Sequence, residues 1–233
     1  NVPAFLVNAR FSERSYERCR KFPVLWKKAY DLFELILVRA EDDMERFRSL
    51  GLPEEKLVLV GDCKVDALLD RRDGTDLCEY RGWKEEGCPL FLAGSTHEGE
   101  EPLVLKAFQK VRERHPRARL VLAPRHPERA QAVLEQARSC GLPCGLLSEP
   151  GRNWSILVVD RVGVLFDLYG IADGAFVGGS LVPKGGQNVL EPASWGTPFQ
   201  HGSHMEDFAL AASELRELGA ARVVGDEQEL AGC

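Results

Sequence analysis

Short apolar runs return along this chain at residues 2–7, 35–38, 57–60, 90–93, 119–123, 156–159, 174–177 and 222–224, and polar stretches separate them. Several of those stretches carry apolar residues at helical spacing. In 100–114, for example, Leu103, Ala107, Phe108 and Val111 fall on one side of a helix. Apolar runs without alternation mark strands covered on both faces, as in a parallel sheet. Parallel neighbours need long crossovers, usually helical and right-handed. The order therefore predicts an α/β chain with Rossmann-like, doubly wound parallel sheets. Helices are expected at 12–20, 41–50, 100–114, 127–139, 165–171, 190–194 and 206–218.

Residues 63–88 break the alternation. Asp, Arg, Gly, Glu and Cys are scattered there without a period, and only 65–69 suggests a short helix. The segment reads as a linker between two lobes, the tail of an amino-terminal lobe at 1–62 and a carboxyl-terminal lobe at 89–233. The chain starts at Asn1 and enters a strand at once, which reads as a fragment or a processed chain. A net charge of −6 argues against bulk affinity for nucleic acid, although it leaves room for a local basic pocket. Seven cysteines, with no CxxC, fit reduced thiols better than a disulfide framework or a zinc ribbon. No apolar run approaches the ~20 residues of a membrane span, and no signal peptide is evident.

Open parallel sheets bind ligands beyond the carboxyl ends of their strands. Four consecutive strands end in loops rich in polar and glycine residues: Gly94-Ser95-Thr96-His97-Glu98-Gly99, Pro124-Arg125-His126-Pro127, Asp160-Arg161-Val162-Gly163, and the stretch GGSLVPKGGQNVLEP from Gly178 to Pro192. Ser95 and Thr96 read equally as helix caps and as ligand contacts. Arg125 and His126 read as a solvated turn or as an anion site, the planar guanidinium suiting phosphate oxygens. Gly178-Gly179 and Gly185-Gly186 are expected to turn backbone N–H groups toward an anion, aided by a helix dipole and by Lys184. Asn188 and Glu191 form a nominal capping box, but Pro192 argues for a helix beginning nearer 189–190. Glu191 would then stand at the helix entrance, an acceptor suited to a pair of ribose hydroxyls.

Asn8-Ala9-Arg10-Phe11-Ser12-Glu13-Arg14-Ser15, Gly94 to Glu101, Pro124 to Arg129, Gly178 to Pro183, and Asn188-x-Leu190-Glu191-Pro192 appear in that order. Together they resemble the 3-deoxy-D-manno-octulosonic acid (Kdo) transferases of lipopolysaccharide synthesis, along nearly the whole chain. The resemblance implies a GT-B architecture of two Rossmann-like lobes, here without most of the amino-terminal one. It implies inverting transfer of Kdo from CMP-Kdo to a lipid A precursor at the cytoplasmic face of the inner membrane, by a peripheral protein, with no cofactor and no nucleotide-bound metal. Ser95, Thr96, Arg125, His126, Gly179, Ser180, Asn188 and Glu191 fall on the family's donor-side motifs, beside Lys184 and Gly186 of the same loop. The general base is expected from the amino-terminal lobe, so no catalytic residue is assigned; His97 and Glu98 are the nearest by chemistry. Three places depart from the family: Gln187 stands where His is common, Val162-Gly163-Val164-Leu165 lacks a usual carboxylate, and Gly61-Asp62-Cys63-Lys64-Val65-Asp66 differs at the linker. The rival readings are another GT-B sugar-nucleotide enzyme, such as an epimerase or a UDP-sugar transferase, and a non-catalytic nucleotide-binding module.

Overall fold

A computed structural model describes residues 2–83, 87–151 and 153–232. The chain divides into two compact units, Asn1–Asp70 and Arg71–Cys233.

In the first unit, β1 (Phe5–Ala9), β2 (Leu35–Val38) and β3 (Leu57–Leu59) form a parallel sheet in that order. Helices α1 (Glu13–Lys21) and α2 (Pro23–Tyr30) link β1 to β2, and α3 (Glu41–Ser49) links β2 to β3. Ser12 starts α1 by accepting the Ser15 N–H at 3.2 Å. Pro23 opens α2, where its missing N–H costs nothing. The sequence reading missed α2, which buries no residue fully; its Trp26 and Tyr30 pack only partly against the first unit's core. Ile36 and Val38 are fully buried beneath Phe11, Met44 and Phe47. Buried Asp43 accepts the Phe11 N–H at 2.8 Å and is flanked by Arg39 and Arg46, which offset the cost of burying its charge.

Helix α4 (Cys63–Asp73) runs through the boundary between the units. The expected linker is thus more ordered than its composition suggests. A 3-10 segment, Cys78–Trp83, follows, with Tyr80 buried in the second unit's core and Trp83 packed edge-on to Trp154. Residues 84–86 of that stretch lie outside the described residues.

The second unit holds a seven-stranded sheet, every pairing parallel. Its strands are β4 (Leu90–Thr96), β5 (Arg119–Pro124), β6 (Cys144–Leu146), β7 (Ile156–Val158), β8 (Gly174–Val177), β9 (Phe199–His201) and β10 (Ala221–Val223). Helices α5 (Glu101–Arg114), α6 (Ala130–Arg138) and α10 (Glu227–Leu230) pack in one apolar cluster; α7 (Leu165–Ile171), α8 (Leu190–Trp195) and α9 (Ala209–Glu217) pack in another. Along β4 the side chains divide accordingly, Leu90 and Leu92 to the second cluster and Phe91 and Ala93 to the first. This is the doubly wound arrangement expected. Strands β6 and β9, with the short sequences CGL and FQH, carry no apolar run and were not legible. Among the described residues no helix is long and apolar enough to cross a membrane.

The strand order, β10-β9-β8-β4-β5-β7-β6, places the reversal of direction between β4 and β8. Ligands of open α/β sheets bind at such a point, beyond the carboxyl ends.

Candidate functional site

Four loops meet at this reversal, following β4, β5, β8 and β9. At the end of β4, Ser95 takes a left-handed backbone (φ 54°), and the register with β5 slips between Gly94 and Thr96. A non-glycine residue there is strained, and such strain is concentrated at functional sites. The bulge turns Thr96 inward. Its hydroxyl, fully buried, donates to Glu101 Oε1 at 3.2 Å, and Arg129 donates to the same oxygen at 2.8 Å. Thr96 is therefore tied into the floor of the site.

The glycines of the β8 loop make room for the chain's own atoms. A methyl on Gly178 would lie 2.5 Å from the Ser95 carbonyl oxygen. On Gly185 it would meet the Asp207 carboxylate at 2.6 Å, and on Gly186 the Met205 sulfur at 2.5 Å. Three of the four glycine N–H groups expected to face an incoming anion are engaged internally as well. Gly178 donates to the Gly94 carbonyl and Gly186 to the Gly179 carbonyl, each at 2.8 Å. Gly179, Ser180 and Leu181 donate to the carboxylate of Glu100 at 2.8, 3.0 and 2.9 Å. The Ser180 hydroxyl, also buried, donates to the Val177 carbonyl and accepts from the Gly202 N–H at 2.8 Å. The nest exists, but its anion is a side chain of the same protein.

Above this floor stand the groups that remain open. Arg125, His126 and Lys184 are exposed. His97 is half-buried and meets His126 edge to face, with centroids 6.0 Å apart; Gln187 Nε2 lies 3.5 Å from His97 Nε2. Burial pushes the His97 pKa down, Glu100 opposes that, and His126, Lys184 and Arg129 reinforce it.

Helix α8 begins at Leu190, so Pro192 falls in its tolerated first turn. The capping box does not form. Asn188 Oδ1 accepts the Leu190 N–H at 3.2 Å, and its amide donates to Glu191 Oε1 at 3.2 Å. Burial raises the Glu191 pKa, while Asn188, Arg71 and Arg125 pull it down. The loop that carries Arg125 is tied to the end of β4, its N–H donating to the Thr96 carbonyl at 2.9 Å. Arg71 was missed in the sequence. Its guanidinium stacks 4.1 Å from the Phe166 ring centroid and lies 3.9 Å from Asp167. Nothing in a charged helix end marks it. Glu100 was also missed, because an acidic residue opening a helix ordinarily reads as a response to the dipole.

The arrangement offers an anion three exposed basic side chains and offers hydroxyl groups the partly buried carboxylate of Glu191. An apolar recess of about 490 Å³, lined by Phe91, Phe108, Phe176 and Phe199, lies toward the amino ends of the strands and is separate from this site.

Comparison with known proteins gives the following likenesses. Residues 1–67 match the family described as 3-deoxy-D-manno-octulosonic-acid transferase (kdotransferase). The chain is 34% identical over 216 residues to the 3-deoxy-D-manno-octulosonic acid transferase of Haemophilus influenzae, covering 89% of this chain and 49% of that protein. It spans about half the length of the curated relatives it matches first. Among solved structures, it resembles the C-terminal CMP-Kdo binding domain of WaaA from Acinetobacter baumannii, with a TM-score of 0.60 and 26% identity over 71% of this chain and 86% of that one. It also resembles the UDP-GlcNAc 2-epimerase of Neisseria meningitidis, with a TM-score of 0.62 and 15% identity over 99% of this chain and 59% of that one, a likeness of fold alone.

Proposed function

The chain is a relative of the Kdo transferases along nearly its whole length, and on that premise we propose that its second unit holds the CMP end of CMP-Kdo at the reversal between β4 and β8. The observation that carries this is the meeting of the loops after β4, β5 and β8 at the strands' carboxyl ends: His97 packs edge to face on His126 and lies 3.5 Å from Gln187, the Arg125 N–H donates to the Thr96 carbonyl at 2.9 Å, and the Arg125 side chain stays exposed. Arg125 and Lys184 hold the phosphate, and Glu191 accepts from the ribose hydroxyls. His126 and Ser95 line the rim. Thr96, Gly179, Ser180, Gly186 and Asn188 act through the shape of the loops.

Transfer of Kdo to a lipid A precursor belongs to the whole protein. There an acceptor hydroxyl attacks the Kdo anomeric carbon with inversion: its oxygen–carbon bond forms as the bond to CMP breaks, its proton passes to a base, and CMP leaves carrying the electron pair. Fixed cations facing the phosphate stabilise the charge that develops on it, without a metal or other cofactor. No residue of this chain is proposed as the general base. Peripheral contact with the cytoplasmic face of the inner membrane is part of the same proposal, supported by exposed Phe22, Val24 and Leu25 beside Lys21 and Lys28.

Incubation with CMP-Kdo and a lipid A precursor tests the activity. Release of CMP with transfer of Kdo supports it. CMP binding without turnover supports the nucleotide-binding module instead, and preference for UDP over CMP supports an epimerase or UDP-sugar transferase.

A further inference from the structure

Glu100 stands just before α5 with its carboxylate fully buried. Oε2 accepts the N–H groups of His97 and Gly179, both at 2.8 Å, and Oε1 accepts those of Ser180 and Leu181 at 3.0 and 2.9 Å. An ionised carboxylate has about four acceptor sites, so these donors meet its capacity. Burying a carboxylate without such partners is costly. Successive N–H groups of this kind form a concavity that elsewhere binds phosphate; here it is filled from within.

The geometry also joins two loops. His97 follows β4 and Gly179 follows β8, the strands between which the order reverses. A methyl on Gly179 would lie 3.2 Å from His97 Cδ2 and 3.3 Å from Gln187 Nε2, so the turn is the surface on which that pair rests.

We propose that Glu100 is a positioning residue of the donor site: it locks the turn at 178–181 to the end of β4 and so sets the His97–Gln187 pair before any donor arrives. The effect on CMP rests on the donor reading above; the lock itself does not. Glu100→Gln leaves one acceptor oxygen and turns an NH2 group against N–H groups. Glu100→Asp keeps the charge and loses reach.

The test combines amide exchange at Gly179, Ser180 and Leu181, titration of the His97 imidazole by NMR, and CMP calorimetry. Asp43→Asn serves as control, since Asp43 is a buried carboxylate of the first unit that also accepts a backbone N–H. The expected result has four parts. The three amides are protected in the wild-type chain without ligand. Glu100→Gln speeds their exchange and lowers the His97 pKa further, because Glu100 no longer opposes burial. It weakens CMP binding by about tenfold or more, the scale of a lost charge-assisted hydrogen bond. Asp43→Asn changes none of these. The proposal is overturned if the wild-type amides exchange at open-loop rates, or if folded Glu100→Gln binds CMP as the wild type does. Should Glu100→Gln fail to fold, the wild-type exchange pattern and CMP affinity of Glu100→Asp decide by the same criteria. A wild-type chain that binds no CMP ends the donor reading, while exchange and His97 titration still decide the lock.

Discussion

Arg129 donates to the fully buried carboxylate of Glu101 at 2.8 Å, and the Thr96 hydroxyl reaches the same oxygen at 3.2 Å. The pair anchors the loop after β5 to the start of α5, directly beneath the exposed residues of the site. Removing one partner of a buried pair leaves the other charge uncompensated, which costs about 3 kcal/mol or more. Arg129→Ala should therefore destabilise the second unit by about that amount in urea unfolding. Arg138→Ala, whose partner Glu135 is exposed on a helix surface, should change stability by less than about 1 kcal/mol.

Glu191 gives opposite signs for stability and binding. Burial raises its pKa above 4.5, so the folded chain holds the proton more tightly than the unfolded one. Its contribution to stability is accordingly lost as pH rises from about 4.5 through the folded value. Glu191→Gln should melt at a higher temperature than the wild type at pH 7.5 and yet bind CMP more weakly. In the wild type, CMP affinity should rise with pH as Glu191 ionises, and in the variant only the rise from the second ionisation of CMP's own phosphate, at about pH 6, should remain. Parallel profiles for the two would remove Glu191 from the ribose contact.

Gly178 has a steric requirement, since a methyl there would sit 2.5 Å from the Ser95 carbonyl oxygen, which is backbone and cannot swing away. Gly178→Ala should cost about 1–3 kcal/mol in unfolding free energy. Gly163→Ala, with nothing within 4 Å but a φ of 89°, should cost only the smaller penalty of its left-handed backbone. Equal losses would mean that crowding is not what requires glycine at 178.

The doubly wound sheet was readable because its central strands are apolar on both faces: the runs at 90–93, 119–123, 156–159 and 174–177 each coincide with a strand. Elements with little buried surface escaped. Helix α2 buries no residue fully, and β9 is only Phe199-Gln200-His201. At the site, residue types located three of the four loops, those after β4, β5 and β8; Asp160 and Arg161 of the loop after β7 pair instead with Ser148 and Glu79, and the loop after β9 was not singled out. Residue types were a poor guide to partners. Glycines at 178, 185 and 186 looked like room for a ligand and are room for Ser95, Asp207 and Met205. The anion held by the turn is Glu100, from a helix start 79 residues away along the chain. A long-range pairing of that kind leaves no local pattern in a sequence.

Calorimetric titration of CMP and UDP into the wild type, Arg125→Ala and Lys110→Ala tests the donor site most directly. Lys110, partly buried toward the carboxyl end of α5, pairs with Glu227 of α10 at 3.7 Å, away from the loops of the site. The account predicts that CMP binds the wild type more tightly than UDP, that Arg125→Ala weakens CMP by about tenfold or more, and that Lys110→Ala leaves it unchanged. Equal affinity for the two nucleotides, or equal effects of the two substitutions, would contradict it.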